Sequence, residues 1–144
     1  FSFRPVYGES EVEALVNLHR AAFGTQAMTI EERLSIMHAP NYRPELDLVA
    51  TDRYGTLAAF CIGGLEEDEN GRIGSADPIG THPAFQKKGL AKALICHTAR
   101  LLKDLGATCV LTGTSSENLP MQYLAQAVGF DLYREDIWFT KRLD

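Results

Sequence analysis

At 144 residues, with 45% apolar and 23% charged side chains, the chain has the size and composition of one globular domain, and two packed domains are excluded. Nineteen acids against fourteen bases leave a net charge of -5, which argues against a nucleic-acid binder, whose phosphate contacts need a broad basic face. No stretch approaches the roughly 18 consecutive apolar residues that cross a bilayer, and the N-terminus lacks the basic-then-apolar layout of a signal peptide, so residues 1–144 read as one soluble, cytoplasmic domain with no membrane partner.

In chain order, Phe1 to Val6 alternates as a strand, and a helix from Ser10 places Val12, Leu15, Val16, Leu18, His19 and Phe23 at helical spacing before Gly24. Thr29-Ile-Glu-Glu is an N-capped start to a second helix that runs to about His38 and stops before Pro40. Leu46 to Thr51 and Thr56 to Gly63 flank Asp52-Arg-Tyr-Gly55 as a hairpin, and a further strand runs from about Arg72 to Thr81. Leu90, Leu94, Leu101 and Leu105 mark a long helix closed by Gly106. Cys109 to Leu111 is expected as a buried strand, Asn118 to Val128 as a helix ended by Gly129, and Phe130 to Leu143 as another pair of strands. The pattern predicts an α+β domain: a mixed sheet with a leading helical pair and two later helices. Phe1 is not an initiator methionine, which leaves open that the chain belongs to something longer.

The cysteines Cys61, Cys96 and Cys109 are odd in number, sit in apolar stretches and form no C-x-x-C pair, as expected of reduced core thiols. The four histidines share no metal-ligand spacing, so no metal is expected. Charge is distributed unevenly. From Asp77 to Asp104 no acid intervenes, while Lys87, Lys88, Lys92, Arg100 and Lys103 fall in the interval. Such a local basic segment in an acidic protein suits a small anionic ligand, although a solvated helix face reads the same way. Glu66 to Glu69 before Asn70-Gly71 is most simply a solvated turn, with attraction of cationic substrates as a secondary reading.

The chemistry-bearing junction is strand, turn, helix over Asp77-Pro-Ile-Gly-Thr-His-Pro-Ala-Phe-Gln-Lys-Lys-Gly89-Leu90-Ala91. A helix start leaves amide hydrogens unpaired at the positive end of its dipole, which suits phosphate oxygens. Gly89 and the small Ala91 allow close backbone approach, and Lys87 and Lys88 add formal charge. Neither G-x-x-x-x-G-K-[ST] nor G-x-G-x-x-G is present, so two common nucleotide motifs are excluded.

Gln86-x-x-Gly89-x-Ala91, preceded by Thr81-His-Pro83 and followed by a long helix, resembles the [QR]-x-x-G-x-[GA] signature of the GNAT superfamily of acetyl-CoA-dependent N-acetyltransferases. Asn118, eleven residues before Gly129-Phe130 with an apolar helix between, is similar to that family's closing segment, and the order of elements matches over nearly the whole chain. The resemblance implies a mixed, mostly antiparallel sheet flanked by helices on both faces. It also implies that amides of Gln86, Lys87, Lys88, Gly89, Leu90 and Ala91 cradle the pyrophosphate of acetyl-CoA. Ile79, Gly80 and Thr81 would offer backbone groups to the pantetheine arm and the thioester oxygen. Asn118 would face the thiol end or simply cap its helix. The partners implied are acetyl-CoA and an amine acceptor; a homodimer is left open.

Direct attack of an amine on the thioester needs a proton acceptor. Asp77 stands where relatives carry a glutamate, two residues before Ile79 and expected on the same strand face; the alternative is a strand-end aspartate before proline. One departure matters. Where relatives commonly place a thiol-protonating tyrosine the chain has Ala125, and Tyr123 lies about 200° around the helix, off the expected buried stripe of Met121, Leu124, Ala125 and Val128. Water or another hydroxyl would then protonate the thiolate, with Ser115, Ser116 and Tyr133 as candidate donors. An acetyltransferase therefore stands beside two alternatives, a non-catalytic acyl-CoA-binding or regulatory module and a binder of another phosphorylated metabolite. The acceptor pocket is expected from Gly24 to Met28, Asn41 to Arg43 and the last strand pair.

Overall fold

Turn residues and caps fix where each element begins. In the computed structural model, which describes residues 1–143, the chain divides into two units, Phe1–Gly113 and Thr114–Asp144. The first contains β1 (Ser2–Pro5), α1 (Val12–Phe23), α2 (Ile30–His38), β2 (Asp47–Thr51), β3 (Leu57–Asp68), β4 (Gly71–Thr81), α3 (Leu90–Asp104) and β5 (Ala107–Leu111). Helix α1 closes on Gly24 at φ 63°, and the Thr29 hydroxyl accepts the Glu32 N–H at 3.1 Å to start α2. In the β2–β3 turn, one carboxylate oxygen of Asp52 accepts the N–H groups of Tyr54 and Thr56, each at 2.9 Å.

The sheet has five strands in the order β1-β2-β3-β4-β5, antiparallel from β1 to β4 and parallel between β4 and β5. Helices cover both faces, as the resemblance implies. On one face α1 packs Leu15 and Leu18 against Val49 and Phe60; on the other, Leu102 of α3 packs with Leu46 and Leu65. Each such side chain taken out of water contributes about 1.5–3 kcal/mol. With both faces covered, all five residues of β2 are buried.

Strand β4 changes sides partway along. A Cβ at Gly74 would lie 2.7 Å from Leu102 Cδ1 of α3, whereas a Cβ at Gly80 would lie 2.7 Å from Phe60 Cε1 and 2.9 Å from Ala22 Cβ of α1. Residues an even number apart should share a face, so the strand must contain one extra residue. The register shows it: Cys61 pairs with Ile79 and Gly63 with Ala76, so Ile62 alone opposes Asp77 and Pro78. This is a β-bulge. The expected alternation between Asp77 and Ile79 is therefore broken, and the two do not share a face by simple periodicity.

Beside the bulge lies a buried ion pair. Arg33 of α2 and Asp47 of β2 are 2% and 0% exposed; one guanidinium nitrogen reaches both carboxylate oxygens at 2.8 Å, and the Tyr42 hydroxyl donates to the same carboxylate at 2.5 Å. Desolvation and the Asp47 carboxylate raise the pKa of the Tyr42 phenol, which stays a donor.

Two further sequence expectations fail in this unit. β5 is an edge strand paired on one side only, so Cys109 and Leu111 are exposed rather than buried. Of the cysteines only Cys61 is a core thiol; burial pushes its pKa up to about 11.

The second unit holds α4 (Leu119–Ala127), capped by Asn118, whose side chain accepts the Met121 N–H at 3.2 Å, and followed by Gly129 at φ 95°. The stripe of Met121, Leu124, Ala125 and Val128 is half-buried, and Tyr123 is exposed, as its position off that stripe predicts. The predicted strand pair within Phe130 to Leu143 is absent: residues 130–143 form no helix or strand, and Ile137, Trp138 and Phe139 are exposed. Alternating apolar residues supply one face of a strand, but a strand exists only when a neighbour completes its hydrogen-bond ladder.

Replacing Arg33 by Met is expected to cost about 3 kcal/mol or more in urea unfolding, because it strands a buried carboxylate. Arg4→Met, which breaks the partly exposed Arg4–Glu11 pair of 2.7 Å, is expected to cost about 1 kcal/mol or less.

Candidate active site

Strand β4 is paired along its whole length with β3, but with β5 only from Arg72 to Ser75. Beyond Ser75, Thr112 leaves the ladder and donates its hydroxyl to the Ala76 carbonyl at 2.8 Å. From Asp77 to Thr81, therefore, β4 keeps its β3 neighbour through Cys61, Phe60 and Ala59 and pairs with no second strand among the described residues, which leaves one edge open. An extended ligand can pair there as an added strand. Gly80 belongs to the opposite, α1-packed side of this stretch, where only a hydrogen fits.

The chain then makes a single 3-10 turn, Pro83–Phe85, and runs through Gln86 to Gly89 into α3. Lys87 has φ 62° and Gly89 φ 78°, both left-handed. That conformation is rare for lysine, and alternation of this kind turns neighbouring N–H groups into a concave anion receptor. The N-cap of α3 is Gly89, with no side-chain cap and no acid in the first turn, so the first amides of a 15-residue helix lack a side-chain partner. A Cβ at Gly89 would meet no protein atom within 4 Å, so the space before the helix is open. Gln86, Lys87, Lys88 and Gly89 are exposed, Ala91 is half-buried, and Leu90 is buried as the anchor of the first turn. Lys92, Arg100 and Lys103 are exposed along α3, which makes that part of the basic run a solvated helix face.

Asp77 lies in the bulge with its side chain accessible, and partial burial raises its carboxyl pKa. A Cβ at Gly113 would stand 3.6 Å from its Oδ2, so the glycine leaves room beside the carboxylate. The bulge, Thr112, Gly113 and the left-handed backbone of Lys87 were not foreseen from the sequence; Thr-Gly directly after a short apolar strand was the available signal for the parting.

Of the expected acceptor elements, the loop from Gly24 to Met28 is held by Arg20, whose Nε donates to the Met28 carbonyl at 2.8 Å. Asn41, Tyr42 and Arg43 line an open groove of about 570 Å³ with Leu65 and Glu67, which lie toward the β3–β4 turn rather than toward Thr81. Asn118, Ser115, Ser116, Tyr123, Ala125 and Tyr133 belong to the second unit. There Asn118 is a helix cap, and the carbonyls of Ser115 and Ser116 accept the Gln122 side chain at 3.0 Å. Among the described residues no cluster of three metal-ligating side chains occurs, and no helix is long and apolar enough to cross a membrane.

Residues 12–130 match the family model described as the Acetyltransferase (GNAT) family. A mycothiol acetyltransferase of Thermobifida fusca is 29% identical over 121 residues, covering 80% of this chain and 38% of that protein. Acetyltransferase plu1384 of Photorhabdus laumondii is 28% identical over 115 residues, covering 79% of this chain and 77% of that one. The chain thus spans less than half the length of the mycothiol acetyltransferases it matches. The aminoglycoside N-acetyltransferase AAC(6')-Iy in complex with CoA has the same fold, with a TM-score of 0.78 at 21% identity over 99% of this chain and 95% of that one. With the family match running from α1 to the end of α4, and with an opened β4 edge and a signature loop at the start of α3, the chain belongs to the GNAT acetyltransferase family.

Proposed function

We propose that residues 1–144 act as one domain that transfers the acetyl group of acetyl-CoA to an amine of a small molecule or protein by direct attack. The observation that carries this reading is the continuity of the open β4 edge, Ile79–Thr81, with the left-handed loop at the uncapped start of α3. A pyrophosphate fits the amides of Gln86 to Ala91, with Lys87 and Lys88 beside it, and an amide-bearing arm fits the β4 edge as a strand would. Acetyl-CoA supplies the thioester.

The chain's own residues supply the rest. Asp77 accepts the proton of the attacking amine, through a water because its side chain is short, and its raised pKa makes it a stronger base than an ordinary aspartate. As nitrogen bonds to the acetyl carbon and the C–S bond breaks, amides near Ile79 to Thr81 polarise the carbonyl oxygen. Asn118 spends its side-chain oxygen on Met121, so its side-chain amide nitrogen is the group left over for a cofactor contact. The acidic surface favours a cationic acceptor.

One observation favours a second reading, an acyl-CoA-binding module without turnover: Ala125 offers no proton for the leaving thiolate. Thiol release with a panel of amines, polyamines, amino acids and aminoglycosides separates the two. Release with any acceptor supports the transferase, and none with tight acetyl-CoA binding sinks it.

Gly89→Val is expected to weaken acetyl-CoA binding about tenfold or more (about 1.4 kcal/mol) in calorimetry, because branching at a left-handed position both strains the loop and fills the open phosphate space. Unchanged affinity with an intact fold refutes the loop assignment. Asp77→Asn is expected to lower turnover about 10²-fold or more with little change in cofactor affinity, and the deficit is expected to shrink at high pH, where the amine is already neutral. Stability separates this from a structural role. A carboxyl whose folded pKa is raised holds its full stability contribution below the unfolded value and loses it as pH rises through the folded one, so Asn removes a penalty present at neutral pH. The melting temperature of the Asn variant is therefore expected to hold or rise; a fall with an unchanged rate per molecule identifies Asp77 as structural.

A further inference from the structure

The 3-10 turn that delivers β4 into the loop is capped by an imidazole. Nδ1 of His82 accepts the Ala84 N–H at 3.0 Å, while the His82 backbone N–H donates to the Ala58 carbonyl of β3 at 2.9 Å and its carbonyl accepts the Phe85 N–H at 2.9 Å. Pro83 follows as the first residue of the turn and has no N–H, so the Ala84 amide is the first donor that needs a partner. Caps are ordinarily Ser, Thr, Asn or Asp, whose oxygens remain acceptors. An imidazole nitrogen accepts only while unprotonated, so this cap requires the Nε2–H tautomer, and a second proton would set Nδ1–H against Ala84 N–H.

The loop beyond has little else to hold it. The side chains of Gln86, Lys87 and Lys88 take part in none of the described hydrogen bonds, so the left-handed path from Lys87 to Gly89 is inherited from the turn before it and the helix after it. The turn itself is seated by Phe85, whose ring stands edge-on to His82 and to Phe1, each at 5.9 Å. From other elements, then, the His82 turn meets Ala58 of β3, which does not titrate, and, through Phe85, Phe1, whose α-amino group is itself titratable and is common to wild type and every His82 variant. The charged side chains nearest along the chain are Lys87 and Lys88 on one side and Asp77 on the other.

We infer that His82 is a positioning residue for the phosphate-binding loop, and that protonation of its imidazole loosens the loop and weakens its hold on a phosphorylated cofactor. This rests on the acetyl-CoA reading of that loop. The residue touches no reacting atom; it acts through the path of the backbone from Ala84 to Gly89.

The test is acetyl-CoA affinity by calorimetry for wild type, His82→Ala and His82→Asn at about pH 8 and about pH 5.5, the range across which imidazoles change charge. At the higher pH, His82→Ala is expected to bind about fivefold more weakly, the effect of one lost cap, whereas His82→Asn, whose side-chain oxygen keeps an acceptor in place, matches wild type. At the lower pH, wild type is expected to fall by a similar factor relative to His82→Asn, which shares any titration of the cofactor's own phosphates. Nitrogen NMR of the unliganded chain is expected to show the Nε2–H tautomer at the higher pH. Parallel pH profiles for wild type and His82→Asn, or an Nδ1–H tautomer, overturn the inference. Absence of acetyl-CoA binding by wild type at either pH overturns the reading of the loop itself, a result distinguishable from parallel profiles.

Discussion

The parting of β4 from β5 is the constraint on which the site depends. In a fully paired sheet the backbone groups of Ile79 to Thr81 would be consumed by neighbours on both sides, leaving nothing for a ligand. Here Thr112 closes the last rung with its hydroxyl on the Ala76 carbonyl, and Gly113 leaves without a side chain to fill the gap. The one-residue bulge at Asp77-Pro78 then turns the strand so that Gly80, rather than a larger residue, meets the Phe60 ring and Ala22. The parting thus opens a backbone edge, while the bulge seats α1 tightly against the sheet and sets the Asp77 carboxylate at the start of the opened stretch.

Local chemistry was legible wherever a single residue decides the conformation. Thr29, Gly24, Asp52, Gly106 and Gly129 each do in the structure what their type and spacing indicate, because caps and turns are set by neighbours in sequence. The Gln86–Ala91 segment was legible for the same reason: a helix start advertises its glycine and lysines. The bulge was not, since it depends on which residue of β3 stands across from β4, and pairing register leaves no trace in one strand's alternation. The same limit explains β5 and residues 130–143. Apolar alternation specifies a surface that would be stable in a sheet, not the existence of a neighbour. His82 fell between the two cases: in the sequence it appeared only within Thr81-His-Pro83 ahead of the signature, and a histidine is not among the usual cap residues.

Charge follows the same division between a local site and a global field. The β3–β4 hairpin carries four consecutive acids, Glu66 to Glu69, while Lys87 and Lys88 sit where the helix dipole already favours anions. The proposed function uses that contrast, since an anionic ligand would be drawn to one place on an otherwise repelling surface and the acid-rich remainder would favour a cationic acceptor. On the proposed reading, the two electrostatic tasks, holding a polyphosphate and admitting an ammonium, are opposed in sign, and the sequence separates the basic segment from the acidic one along the chain.

The Arg33–Asp47–Tyr42 cluster completes the support of the opening. A buried ion pair is costly to desolvate and is often matched in stability by apolar residues of the same volume, so its value here lies in what it aligns. Asp47 pairs across the ladder with Ile62, the one residue that faces both members of the bulge, and Arg33 ties the same carboxylate to α2. Hydrogen bonds to a carboxylate fix direction as well as distance, which apolar packing does less sharply. A helix bonded through Asp47 to the strand behind the bulge cannot slide without breaking a charged contact in a dry interior. The stretch of β4 that no further strand pairs with among the described residues is in this way held through β3 by β2 and α2.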